Sequence, residues 1–229
     1  MANNIANLDN DAAPWSLTAL MSAALDGDRK KVLSLIGQGV KIDERNRLGE
    51  TALMCAAAGG GVGCMEALLA AGADLSAKDK QGTSVAGTAV WSQNANCLEL
   101  IVRAGGRLEE AESYGAGNAP VHVACLKDSA SCLEVLVVAG VDLEKRCESS
   151  GMTPLMVAAS EGSLKSMAVL FAAGVDLDAT ATNGWRAGDY ARDLWEEKCL
   201  DMLEAERERR VLEKAANPAV SIGVGSKRV

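Results

Sequence analysis

Gly151-Met152-Thr153-Pro154-Leu155-Met156-Val157-Ala158-Ala159 decides the fold of this chain. Thr153 is suited to cap a helix N-terminus, because its hydroxyl accepts a first-turn backbone N–H that has no partner inside the helix. Pro154 fits the first helical position, where no N–H is needed. Val157-Ala158-Ala159 continue a short helix, and Gly162 ends it, since glycine tolerates the left-handed geometry of a C-cap. A second apolar stretch runs from Leu164 to Phe171 and closes at Gly174, and Val175-Asp176-Leu177 leads out as an extended link.

The same pattern recurs on both sides of Thr153. Thr18, Thr51, Ser84, Ala119, Thr153 and Arg186 open six units, at steps of 33, 33, 35, 34 and 33 residues. An alanine follows five residues into each unit: Ala23, Ala56, Ala89, Ala124, Ala158 and Ala191. Twenty-one residues into the first five stand Gly39, Gly72, Gly105, Gly140 and Gly174. A fixed period of this length predicts a solenoid of stacked units instead of a globule around one core. The alanines mark places where helices approach closely. The bulkier pairs Leu35-Ile36, Leu68-Leu69, Ile101-Val102, Leu136-Val137 and Leu170-Phe171 should fill the layers between units. Burying each such side chain contributes about 1.5–3 kcal/mol.

In the second unit the motif reads Thr51-Ala52-Leu53-Met54, Ala56-Ala57, Gly60, Leu68-Leu69 and Gly72-Ala73-Asp74. This resembles the ankyrin repeat, whose pattern is Thr-Pro-Leu-His, Ala-Ala, Gly, Leu-Leu and Gly-Ala-Asp. The resemblance spans about Leu17 to Arg207. It implies an all-α solenoid of about six stacked helix-turn-helix units with β-turn fingers. The expected organisation is an N-terminal arm over 1–16 and a repeat domain over 17–207. Repeats fall at 17–44, 45–78, 79–112, 113–147, 148–180 and 181–207, the first and last serving as caps, and 208–229 is a helix end followed by a mobile tail. Two departures stand out. Ser84-Val85-Ala86-Gly87 replaces the motif in the third unit, and a helical glycine costs about 0.5–1 kcal/mol relative to alanine. The link from Glu109 to Asn118 is two residues longer than the family's spacing, which places the insertion in a finger loop. In the sixth unit Arg192, Asp193 and Glu204 replace apolar positions, as an end repeat facing water requires. At the other end Asp28, Arg29, Lys30 and Lys31 make the outer face of the first unit polar.

The net charge of −8 and the absence of a Lys/Arg block argue against nucleic acid and anionic membranes as partners. A basic protein surface suits this charge better. Met1 to Ala13 has neither a basic n-region nor an apolar h-region, so an intracellular, cytoplasmic protein is expected. Cys64, Cys97, Cys132 and Cys199 all fall thirteen residues into their units, as does Ser166. They read as small apolar core residues. Stacked equivalents lie about 10 Å apart, too far for a disulfide.

The inventory for catalysis is sparse, and no catalytic, cofactor-binding or metal residue is expected. His122 is the only histidine. It occupies the family's histidine position, where the resemblance implies hydrogen bonds across the finger and helix start. Gly59-Gly60-Gly61-Val62-Gly63 lacks the preceding strand and following Lys-Ser/Thr of a phosphate loop and reads as an inter-helix turn. Glu109, Glu110 and Glu112 read as a solvated loop. Glu206 and Arg210, four apart, can support an exposed helix. Cys147, beside Lys145 and Arg146 in a finger, is the one thiol whose pKa those charges can lower.

Members of the family bind partners in the groove formed by finger tips and the exposed face of the first helices. Here those slots hold Arg47, Leu48, Glu50, Lys80, Gln81, Tyr114, Asn118, Met152 and Trp185 in fingers, and Trp91, Leu126, Lys127 and Glu161 on first helices. The chain has seven aromatic residues, and Trp91, Tyr114 and Trp185 sit at groove slots. The leading expectation is a monomeric, non-catalytic protein-interaction module, a scaffold or adaptor. An acidic inhibitor or immunity-type protein covering an enzyme or toxin is a second expectation, and a thiol enzyme using Cys147 is a third, from another class.

Overall fold

The structure, a computed structural model, describes residues 17–108 and 118–216. The arm over 1–16, the finger tip over 109–117 and the tail over 217–229 lie outside the described residues. Twelve helices follow in six pairs: α1 (Ala19–Leu25) and α2 (Arg29–Gly37), α3 (Ala52–Gly59) and α4 (Val62–Ala70), α5 (Val85–Trp91) and α6 (Ala95–Arg103), α7 (Pro120–Leu126) and α8 (Ala130–Val138), α9 (Pro154–Ser160) and α10 (Leu164–Ala172), α11 (Ala187–Asp193) and α12 (Glu197–Ala216). First helices pack on first helices and second on second, giving an inner and an outer layer. This is the all-α repeat architecture that the period predicts.

Each inner helix starts where the sequence places a cap. The hydroxyls of Thr18, Thr51, Ser84 and Thr153 accept the N–H of the residue three further on, at 3.2, 3.4, 3.0 and 3.4 Å. Ala119 has no hydroxyl, and the His122 ring takes over. Its Nδ1 accepts the Ala119 N–H at 3.2 Å, and its Nε2 bonds the Lys145 carbonyl at 2.9 Å. Those bonds fix the tautomer with the proton on Nε2. Burial pushes the His122 pKa below its usual value, because the imidazolium is poorly solvated there. The histidine is thus a structural tie between helix start and finger, as its motif position implies.

The alanines five residues into the units are fully buried, as are Leu53, Leu68, Leu98, Leu133, Leu136 and Leu170. At Gly59 the approach of α1 is so close that an added Cβ would stand 2.0 Å from the Leu25 carbonyl oxygen. Side chains cross between units as well. Asn94 donates to the carbonyls of Ala57 and Ala58 at 2.8 and 2.9 Å, Asp43 accepts the Asp74 N–H at 3.0 Å, and Glu144 accepts the Asp176 N–H at 2.7 Å. Cys64, Cys97, Cys132 and Cys199 are buried and free, and burial pushes the thiols of Cys97 and Cys199 up to about 11. The same slot in the first unit holds Lys31, which is exposed because no described unit precedes it.

α12 is 20 residues long, against 7–9 for the others. Glu206 and Arg210 do pair four residues apart, but the pair is not on an exposed face. Glu206 is 7% exposed and holds both Arg209 and Arg210 at 2.7 Å, and Arg210 also donates to the Val175 carbonyl at 2.7 Å. The hydrogen bonds from Arg209, joined by those from Arg210, hold the Glu206 carboxyl down at about 2. The cluster anchors the long helix to the fifth unit.

Candidate protein-binding surface

The fingers are built from short polar side chains that bind their own backbone. Asn46 accepts the N–H groups of Leu48 and Glu50 at 2.9 and 3.0 Å, and its amide donates to Glu50 at 2.7 Å. Asp79 accepts those of Gln81 and Thr83, both at 2.8 Å, and Asn183 that of Trp185 at 3.0 Å. Such Asx turns set the finger geometry without help from the core. Neighbouring fingers are linked through backbone: Lys80 N–H donates to Leu48 at 2.9 Å, and Thr182 N–H to Ser150 at 3.3 Å.

The tips carry the residues read as groove slots. Arg47, Leu48, Lys80, Gln81 and Trp185 are exposed, and Glu50 and Met152 are partly buried. Trp91 at the end of α5 and Glu161 just past the end of α9 are exposed, while Leu126 at the end of α7 and its C-terminal neighbour Lys127 are partly buried. The structure joins Trp91 to Lys127 across the third and fourth units: the Lys127 ammonium lies 3.6 Å from the centroid of the indole. A cation over an indole face is favourable by about 0.5–1 kcal/mol at such a site. Asn118 plays a framework part, since its Oδ1 accepts from the Cys147 thiol at 2.7 Å. Tyr114 lies outside the described residues.

Cys147 corrects the sequence reading. Its finger position beside two cations predicts a thiol open to solvent and acidified. Instead it is 4% exposed, and burial pushes its pKa up. A buried, protonated thiol is a poor nucleophile, and the thiol-enzyme reading is withdrawn on that ground.

Trp195, in the turn between α11 and α12, is not among the residues that the sequence marks as groove slots. It is 86% exposed, and Leu194 beside it is 50% exposed. With Trp185 and Leu200 it lines an open cleft of about 820 Å³ on the terminal face of the last unit. The available signal was its slot, nine residues into the unit, where glycine stands in three of the other five.

Three overlapping matches to the family model for ankyrin repeats cover residues 4–79, 20–112 and 87–181. Among solved structures, the ankyrin-repeat domain of Bcl-3, described as a unique member of the IkappaB protein family, has a TM-score of 0.73 at 24% identity, covering 83% of this chain and 86% of that one. A chain from the complex of the predatory endopeptidase Bd0816 of Bdellovibrio bacteriovorus with the immunity protein Bd3460 also has a TM-score of 0.73 at 24% identity, covering 82% of this chain and 98% of that one. The ankyrin-repeat domain of human ASB11 has a TM-score of 0.61 at 21% identity, covering 82% and 98%. At these identities the likeness is one of fold. No curated protein sequence matches the chain.

Proposed function

Since the chain belongs to the ankyrin-repeat family, whose domains are in general non-catalytic binding modules, we propose that it acts by holding another protein against its finger-side groove, as a scaffold or adaptor. The observation that carries this reading is Trp91. It stands at the end of an inner helix, 37% exposed, with Lys127 of the next unit stacked on its ring. A partly exposed tryptophan flanked by charge has the character of an interface hot spot. Arg47, Leu48, Glu50, Lys80 and Gln81 extend the surface toward one end, and Leu126, Met152, Glu161 and Trp185 toward the other. Asn118 ties the start of the fourth unit to the finger that leads into the fifth through its hydrogen bond from Cys147. No helix among the described residues is long and apolar enough to cross a membrane.

A second reading within the same class is an inhibitor or immunity-type protein. Two observations favour it: the net charge of −8, suited to a basic partner, and the fold shared with a chain from an endopeptidase–immunity protein complex. The two readings part on kinetics. An acidic inhibitor that covers a basic enzyme associates faster at low salt, and the rate falls steeply as ionic strength rises. A scaffold reading predicts a weak salt dependence of the association rate.

The test is capture of partners from cell extract on the immobilised full chain, repeated with Trp91→Ala. The proposal predicts that a partner retained by the wild-type chain is lost from the variant while the melting temperature barely moves. Retention of every captured protein by the variant would overturn the groove assignment.

A further inference from the structure

The inter-helix turn repeats with one conformation in all six units. The residue nine positions in adopts a left-handed φ each time: Gly27 at 70°, Gly60 at 74°, Gln93 at 59°, Asp128 at 49°, Gly162 at 68° and Trp195 at 61°. This region disfavours bulky L-residues. At two of the five covered turns the next unit also crowds the slot. A Cβ added at Gly60 would meet the Asn94 side chain at 3.0 Å, and one at Gly162 the Glu196 carboxylate at 2.6 Å. Trp195 has no such cover. Neither the turn geometry nor burial calls for an indole there, since Trp195 is 86% exposed.

Trp195 forms one side of the 820 Å³ cleft, and Trp185 lines it too. Trp185 is held in place edge-on by Tyr190, at 5.2 Å between ring centroids, and the Tyr190 hydroxyl donates to Asn183. The cleft also displays Asp189, Asp193 and Glu197 against a single cation, Arg192. Arg192 pairs with Asp189 at 3.3 Å, which leaves Asp193 and Glu197 with no ion pair among the described residues. The site therefore combines two indole rings with an uncompensated charge of two carboxylates. Indole faces attract ammonium and guanidinium groups, and carboxylates pair with both. Phosphates and anionic lipid surfaces meet repulsion at the same place.

We propose that this terminal cleft is a second binding site, which meets the finger-side groove only at Trp185, and that it receives an arginine or lysine side chain from a basic segment of a partner protein. The cation sits against the indoles of Trp185 and Trp195 and pairs with Asp193 and Glu197. Arginine is the preferred occupant, because its planar guanidinium both stacks on indole and bridges carboxylates.

The indole N–H resonances of the four tryptophans in the full chain report on the site directly. The probe is a capped Gly/Ser peptide carrying two arginines, with a control in which norleucine replaces both. The arginine peptide should shift the Trp185 and Trp195 signals saturably and leave Trp91 in place. Asp193→Asn with Glu197→Gln should weaken binding about threefold to thirtyfold, and Trp195→Ala should remove the response at Trp185. Equal shifts with the norleucine peptide, or no saturation, would overturn the proposal. So would two other outcomes that name a different occupant. If deletion of residues 217–229 alone shifts Trp195, the chain's own Lys227-Arg228 fills the cleft. If dilution without peptide shifts it, a second copy does.

Discussion

The fifth and sixth units share a backbone and differ at the slots a following unit would cover. Three, six and nine residues in, the fifth carries Met156, Ala159 and Gly162, and the sixth carries Asp189, Arg192 and Trp195. Met156 and Ala159 are buried, while Arg192 and Trp195 face solvent. The comparison separates two demands on one position. Where a neighbour packs, side-chain volume and backbone clearance choose the residue. Where none packs, the residue is released from that choice, and what stands there reflects solubility or a partner.

The largest expected effects lie in the covered layers. Leu136→Ala should lower the unfolding free energy by about 2–5 kcal/mol, because the side chain is wholly buried between units. Leu200→Ala, partly exposed on the terminal face, should cost less than about 1.5 kcal/mol. Equal losses in urea titrations would erase the distinction between covered and uncovered faces.

Backbone clearance gives the next effect. Gly59→Ala should destabilise by about 2–3 kcal/mol, since the methyl would strike the Leu25 carbonyl. Trp195→Gly, in the uncovered turn, should stabilise by about 0.5–1 kcal/mol by relieving a left-handed L-residue. A destabilising Trp195→Gly would show that the indole holds the cap together.

Acid distinguishes the regions a third way. His122 is neutral and buried in the fourth unit with a lowered pKa. Its contribution is complete above its ordinary 6.5 and falls away as pH drops through that value toward the folded pKa. Glu206 in the terminal helix has its pKa held at about 2 against an ordinary 4.5, so its contribution persists until pH falls below 4.5 and disappears toward 2. Melting curves from pH 8 to 5 should therefore fall for the wild-type chain and flatten in His122→Gln, with Glu206→Gln leaving that limb unchanged.

The smallest effect concerns two interior units. Amides of α5, with Gly87 where α9 has Met156, should exchange faster than those of α9. Slower exchange in α5 would mean that the glycine is compensated by its neighbours.

What was legible in the sequence is what repeats locally. Thr153, Pro154 and Gly162 announce a helix start and stop by their own chemistry, and the thirteenth-slot cysteines declare themselves core by recurrence. Contacts between units carry no such local mark. Cys147 looks open beside Lys145 and Arg146, but its thiol turns to Asn118, 29 residues away. The Lys127 stack on Trp91 crosses a repeat boundary, and the Val175 carbonyl that receives Arg210 lies 35 residues from it. Trp195 was legible only as a break in the glycine slot, and its closeness to the start of α12 hid it among charges. The groove residues fall between these cases: the period places them on one face, while their partner leaves no trace in the spacing.

The most direct test of the account is the dissociation constant of Trp91→Ala for a partner that the wild-type chain binds. A hot spot on the finger-side face predicts weakening of about thirtyfold, with thermal unfolding unchanged within a few degrees. Undiminished affinity, or a collapse of stability that accounts for the loss, would contradict it.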